Sequence, residues 1–222
     1  MRLPDLAHTS RPWRIHGLIP DFRLEDVWAL PGTGGPDDFP RLVRWIASRD
    51  PAHSSSPGVR TLFAIRWRLG ELLRWDDPDT GLGSRVPTLR ARLPADLRAS
   101  AGPDFDALPL TSLYLTDDEW AGEIANRTMH GVIHIGRIPD GSGRFRAQMA
   151  ILVKPHGLFG RAYMAAIRPF RHLIIYPAML REAGREWRTS AGEPAQAGYS
   201  SFRQARGSAG GSLGVRSSRS EK

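Results

Sequence analysis

Three features of this 222-residue chain predict an α+β fold in which an antiparallel β-sheet wraps around a long C-terminal helix, with two helices before the main strands. Between residues 110 and 153, four segments read as strands, the last with a clean alternation of side chains at the strand period of two. Beyond residue 158 the apolar spacing changes to steps of three and four, the helical period. Two further helical patterns precede the first of these strands.

In chain order, residues 13–30 are expected to carry a short strand or helix around residues 22–28, closed by a loop at Pro31, Gly32, Gly34, Gly35 and Pro36. Asp37 and Asp38 stand where a helix dipole favours negative charge, and Phe39, Leu42, Val43 and Ile46 give the following helix one apolar side. A second helix is predicted over residues 59–75, with Leu62, Phe63, Leu69, Leu72 and Leu73 in helical register, ending in the turn-rich run DDPDTGLG. Residues 89–109 read as an irregular connection. Strands follow at 110–116, 119–125, 128–139 and 144–153, and Pro139, Asp140, Gly141, Ser142 and Gly143 form the hairpin turn between the last two.

The final strand has the clearest pattern. Phe145, Ala147, Met149, Ile151 and Val153 share one side, while Arg144, Arg146, Gln148, Ala150, Leu152 and Lys154 share the other, so one buried face is expected. Pro155 ends the ladder, and Gly157 and Gly160 permit the tight turn and close backbone approach that a strand-to-helix junction needs. A helix over residues 159–187 would run roughly 43 Å at about 1.5 Å per residue. Tyr163, Ala166, Ile167, Phe170 and Ile174 form its expected inner side, with Arg161, Arg168, Arg171, Arg181 and Arg185 largely opposite. Pro169 and Pro177 each remove a backbone donor, so a kink or break is expected near one of them. Two helices, a meander and one terminal helix is the element order of the helix-grip arrangement.

Composition narrows the function classes. The chain contains no cysteine, which removes disulfides and thiolate metal sites, and no apolar run reaches the 18 or so residues of a bilayer span. With no signal-peptide core at the N-terminus, a cytoplasmic location is expected. Of the 31 basic residues in a chain of net charge +8, all but Lys154 and Lys222 are arginine, the mark of a GC-rich genome, and no dense basic run occurs. Specific nucleic-acid binding is therefore not expected. Residues 190–222, rich in serine and glycine, read as a disordered tail behind a single domain of residues 1–189.

The run KPHGLFGRAYMAAIRPFRHLIIYPAM, together with PDFRLEDVWALP near the N-terminus, resembles an uncharacterised bacterial family, domain of unknown function 2867, which is placed in the START and Bet v 1-like (SRPBCC) superfamily. Gly157, Leu158, Gly160, Arg161, Tyr163, Pro169 and Phe170 carry the most specific part of the resemblance. It implies a cavity between sheet and terminal helix, no dinucleotide domain, and no established catalytic residue.

A search for reactive constellations returns few candidates. His130 and His134 stand four residues apart in a strand, roughly 13 Å, too far to share one ion. They are expected to face outward or to edge a cavity, and no metal or cofactor is expected. Asp117, Asp118, Glu119 and Glu123 are expected to form a solvated face. The ligand-binding residues expected are Trp120, Ile124, Phe145, Met149, Ile151, Tyr163, Ile167 and Phe170 as an apolar wall, with His134 or Arg168 at the mouth. The function expected is the binding of a small hydrophobic molecule. The alternatives are a cyclase- or dehydratase-like enzyme using the same cavity, and a regulatory or interaction module with the basic tail as its contact element. Catalytic residues and oligomeric state stay unassigned.

Overall fold

The computed structural model describes residues 1–50, 54, 56–72, 81–84, 86–105 and 107–191. Strands β1 (Arg2–Leu3), β2 (Arg23–Gly34), β3 (Thr111–Leu115), β4 (Glu119–Ala125), β5 (Met129–Pro139) and β6 (Phe145–Pro155) join into one sheet in the order β1-β2-β6-β5-β4-β3. Every neighbouring pair is antiparallel. The helices are α1 (Leu6–Thr9), α2 (Arg14–Leu18), α3 (Phe39–Ala47), α4 (Pro57–Leu72), α5 (Ala95–Ala99), α6 (Gly157–Phe170) and α7 (Tyr176–Ala191). A 3-10 turn (Pro36–Asp38) leads into α3, another (Leu89–Arg92) precedes α5, and a π turn (Arg171–Ile175) joins α6 to α7. No helix among the described residues is long and apolar enough to cross a membrane.

The four predicted strands form close to their expected bounds because the period-two pattern and turn residues agree. At the β5–β6 hairpin, Pro139 pairs with Phe145, and Gly141 and Gly143 take φ of 82° and 79°, the left-handed region open to glycine. The stretch expected to hold a short strand or helix is instead the 12-residue β2, lying beside β6 and reaching into the expected 31–36 loop. Register shifts between Leu24 and Asp26 and between Ala29 and Thr33 absorb its irregular sequence. The 89–109 connection also gains the helical turns at Leu89–Arg92 and α5. Residues 73–80, including most of the expected turn after α4, and residues 192–222 of the expected tail lie outside the described residues.

Both faces of the sheet are covered, which corrects the expectation of a single buried face. On one side Trp120, Ile135, Phe145 and Ala147 pack with Phe39, Leu42 and Val43 of α3 and Trp187 of α7, and Ile151 and Val153 meet Met164 of α6. On the other, Leu113, Ala121, Val132, Ala150 and Leu152 lie under Trp13, Ile15, Ile19, Leu89, Leu93 and Leu97. Burying each such aliphatic side chain is worth about 1.5–3 kcal/mol, enough to hold short helices of low intrinsic stability on the sheet. Glu119, Glu123, His130 and His134 project into this second layer and are buried rather than solvated.

At the strand-to-helix junction, Gly157 has φ of 62°. A Cβ on Gly160 would stand 2.2 Å from the Thr128 carbonyl oxygen, so only glycine lets α6 approach the β4–β5 turn. The break expected near the prolines is the π turn between Pro169 and Pro177. Pro169 has no N–H for the carbonyl one turn back, and the wider turn shifts the phase of everything after it. Arg171, expected outside, is turned inward and buried, while Phe170 points outward.

Candidate functional site

The bulge in β2 and the π turn of the terminal helix meet at one acid–base cluster. Asp26 follows the register shift and pairs with Ile151 of β6, which puts its side chain on the face covered by α6. Its carboxylate is fully buried. Arg171 and His172 open the π turn: the Arg171 Nη2 lies 3.1 Å from Asp26 Oδ2 and 3.5 Å from Glu25 Oε2, and the His172 imidazole Nε2 is in direct contact with Asp26 Oδ1. Arg2 Nε stands 3.9 Å from the same oxygen.

These groups are close, yet poorly aligned. Eight buried side-chain nitrogen or oxygen atoms among the described residues lack a hydrogen-bond partner, and five of them are here: both carboxylate oxygens of Asp26, Nε of Arg171, Nε2 of His172 and the indole nitrogen of Trp28. Trp28 lies 6.2 Å from the His172 ring and 5.3 Å from Tyr176, centroid to centroid. Burial, opposed by the nearby Arg171 cation, raises the pKa of the Tyr176 hydroxyl well above the ordinary tyrosine range, which keeps it protonated. Apolar walls adjoin the cluster, since Met149, Tyr163, Ile167 and Tyr176 pack with Ile151 and Met164. The arrangement offers a buried carboxylate, an imidazole and a guanidinium beside apolar surface, a combination able to orient a polar group or move a proton.

The opposite face carries a second polar system, and there both buried glutamates are fully engaged. Glu119 accepts from the Arg14 backbone N–H, the Tyr114 hydroxyl and His134 Nε2, each at 3.0 Å. His134 Nδ1 lies 3.2 Å from His8 Nε2, and His8 Nδ1 lies 3.2 Å from His16 Nε2. With Glu119 as the terminal acceptor, the tautomers follow in sequence: each imidazole donates through Nε2 toward the glutamate and accepts at Nδ1 from the next. Burial above all, then the neighbouring imidazoles, lowers the His8 pKa to about 3, and burial also lowers that of His16. For Glu119 burial acts upward, but the bonds from His134, Arg14 and Tyr114 together outweigh it and hold the carboxyl below its ordinary value. Glu123 is likewise engaged, by the Leu89 N–H at 3.0 Å, the Thr88 hydroxyl, and His130 Nε2 at 2.9 Å. Among the described residues no three histidine or acidic side chains converge in a way that could hold a metal ion.

The ten residues expected to bind ligand separate into three groups. Met149, Ile151, Tyr163 and Ile167 come together beside Asp26. Trp120, Ile124 and Phe145 share the same sheet face but pack in the neighbouring cluster around Phe39 and Trp187, with the Trp120 indole N–H donating to the Ser112 hydroxyl at 3.0 Å. His134, Arg168 and Phe170 stand elsewhere: His134 is on the opposite face against Trp13, and Arg168 and Phe170 are exposed on the outer side of α6. Sequence reading missed Asp26, Arg171 and His172. The available signal was an aspartate between leucine, valine and tryptophan in LEDVW, an acid in a run apolar enough to be buried.

Scanned against protein-family models, the chain matches the one described as Protein of unknown function (DUF2867) over residues 18–178. That span contains Asp26, Glu119, His134, Arg171 and His172 and leaves out His8 and His16. No curated protein and no solved structure matches the chain.

Proposed function

The chain belongs to the DUF2867 family of proteins of unknown function, and from that premise we propose that it binds a small, largely apolar molecule between the sheet and the C-terminal helix, with the polar end of that molecule held at Asp26. One observation supports the reading more than any other: five buried polar atoms without aligned partners gather at Asp26, Trp28, Arg171 and His172. A buried polar atom left without a hydrogen bond costs about 1–3 kcal/mol, and a ligand hydroxyl or amide that donates to Asp26 and accepts from Arg171 or His172 offsets that cost. Met149, Ile151, Tyr163 and Ile167 supply the apolar surface beside it. The helix-grip order of elements and the SRPBCC resemblance favour the same location, and the absence of cysteine suits a cytoplasmic role.

A second reading, proton transfer on the bound molecule by a cyclase- or dehydratase-like enzyme, is favoured by the direct contact of Asp26 with His172. A carboxylate beside an imidazole can serve as a general base once a bound molecule brings the two into line. The first reading is tested by native mass spectrometry of the purified full-length protein and of the Asp26→Asn variant. A copurifying organic molecule that is retained by the wild type and lost from the folded variant is the expected result. Retention by the variant, or wild-type protein that carries no molecule and gains no thermal stability from a panel of hydroxylated apolar compounds, would overturn it. For the second reading, deuterium exchange into the copurified molecule that His172→Gln abolishes without releasing the molecule is the expected result.

A further inference from the structure

We propose that the outward face of α6 is a docking surface for an anionic lipid membrane. It is independent of the Asp26 site, which lies on the inner side of the same helix. Only Gly160 and Met164 of α6 are buried against the sheet, with Tyr163 and Ile167 half-buried. The opposite side is apolar as well: Leu158 is 81% exposed, Phe159 58%, Phe170 51% and Leu173 of the π turn 75%, with exposed Ala162 and Ala166 between them. Large side chains this exposed on one side of a helix are not the solvated arginine face that the sequence spacing suggests. From Phe159 to Leu173 the stripe runs about 21 Å, at about 1.5 Å per residue.

Charge decides what suits this face. No aspartate or glutamate occurs between residues 157 and 181, while Arg161 and Arg168 are exposed on one flank of the stripe. At the N-terminal end of α6, an opening of about 330 Å³ is lined by Arg127, His156, Gly157 and Phe159, which sets a further arginine beside the first phenylalanine. A second copy of the chain fits poorly, because a two-fold contact would bring Arg161 and Arg168 toward their own mates with no acid to meet them. A bilayer surface asks for no shape complement. It accepts protruding leucine and phenylalanine side chains at the acyl boundary and arginines at the lipid phosphates, the division of labour of an interfacial helix. The described residues hold no membrane-crossing helix, so the contact is peripheral.

The test is cosedimentation of the full-length protein with vesicles of phosphatidylglycerol and phosphatidylcholine, and with vesicles of phosphatidylcholine alone. Binding to the anionic vesicles that weakens with salt is expected. Each arginine near an anionic surface contributes about fivefold, so Arg161→Gln with Arg168→Gln weakens binding on the order of 20-fold. Phe170→Ser with Leu173→Ser weakens it at least about tenfold through lost apolar insertion. All four side chains are exposed, and circular dichroism should show both double variants folded. Four results would overturn the proposal: no binding to anionic vesicles, equal binding to both vesicle types, binding unchanged in both double variants, or a solution dimer that the serine pair dissolves.

Discussion

Acid should loosen this protein through one imidazole. His8 lies fully buried between His134 and His16, with each ring nitrogen already committed to a neighbour, and its pKa is lowered to about 3. A histidine in the unfolded chain titrates near 6.5, so between these values the unfolded state holds a proton that the folded state refuses. Stability is therefore fully present above about pH 6.5 and is lost progressively as pH falls toward 3, at about 1.4 kcal/mol per unit for one proton. At about pH 5 the loss from His8 is about 2 kcal/mol, whatever the folded value so long as it lies well below that pH. This is a large share of the roughly 5–15 kcal/mol by which domains are stable. His16 is shifted the same way, and the lowered Glu119 carboxyl adds its own loss only at more acidic pH, below the ordinary glutamate value. Urea unfolding of the wild type and of His8→Gln at about pH 7 and pH 5 measures the effect. The wild type should lose about 2 kcal/mol more than the variant over this interval. If both lose the same amount, His8 is not the group that resists protonation.

Three further perturbations test other parts of the structure. Gly160→Ala sets a methyl group 2.2 Å from the Thr128 carbonyl oxygen and should cost about 2–3 kcal/mol, read as a lowered melting temperature; an unchanged melt would mean that α6 does not press on the β4–β5 turn. Glu123→Gln turns an amide nitrogen toward the Leu89 N–H, the Thr88 hydroxyl or His130 and should destabilise by about 2 kcal/mol in denaturant, with early hydrogen exchange at Leu89; uniform exchange across the domain would count against a local clasp. Arg171→Met leaves Asp26 buried with less compensation and should cost about 3 kcal/mol, most of which returns when Asp26→Asn is added; strictly additive losses would show that the two groups do not interact.

What could be read from the sequence was whatever local periodicity records. The alternation from Phe145 to Val153 fixed which residues share a face, and the paired registers follow it: Ile133 opposite Ile151 and His134 opposite Ala150. Alternation does not say whether the second face has a cover. Glu119 and Glu123 therefore read as solvated, because the residues that enclose them, Ile15, Ile19, Leu89 and Leu93, lie in or just after short helical turns remote in sequence and too brief to show a period. Three clues pointed the other way: Ala121 between the two glutamates, and His130 and His134 on the same side of the adjacent strand. In the terminal helix the inner side was read one position off. Arg171 stands eleven residues after Gly160 and seven after Met164, so the ordinary helical period places it with them on the buried side and leaves Phe170 exposed, and the π turn shifts only the residues that follow it.

The two buried acid systems lie on opposite faces of one sheet, and their hydrogen bonding separates a structural role from a ligand-binding one. Glu119 and Glu123 each accept three donors and bring short peripheral segments onto the sheet, Arg14 in one case and Thr88 with Leu89 in the other. A carboxylate satisfied in this way has little left to offer a ligand, and breaking one of its bonds exposes the full desolvation cost. Asp26 is fully buried with cations nearby, yet neither of its oxygens has an aligned donor. It is held there by a bulge in β2, which turns its side chain to the face covered by α6, and it meets Arg171 and His172 where the terminal helix widens into a π turn. Two irregular segments that converge on an unsatisfied carboxylate mark the place where a bound molecule would gain most. On the other face a ligand would first have to displace the fold's own hydrogen bonds.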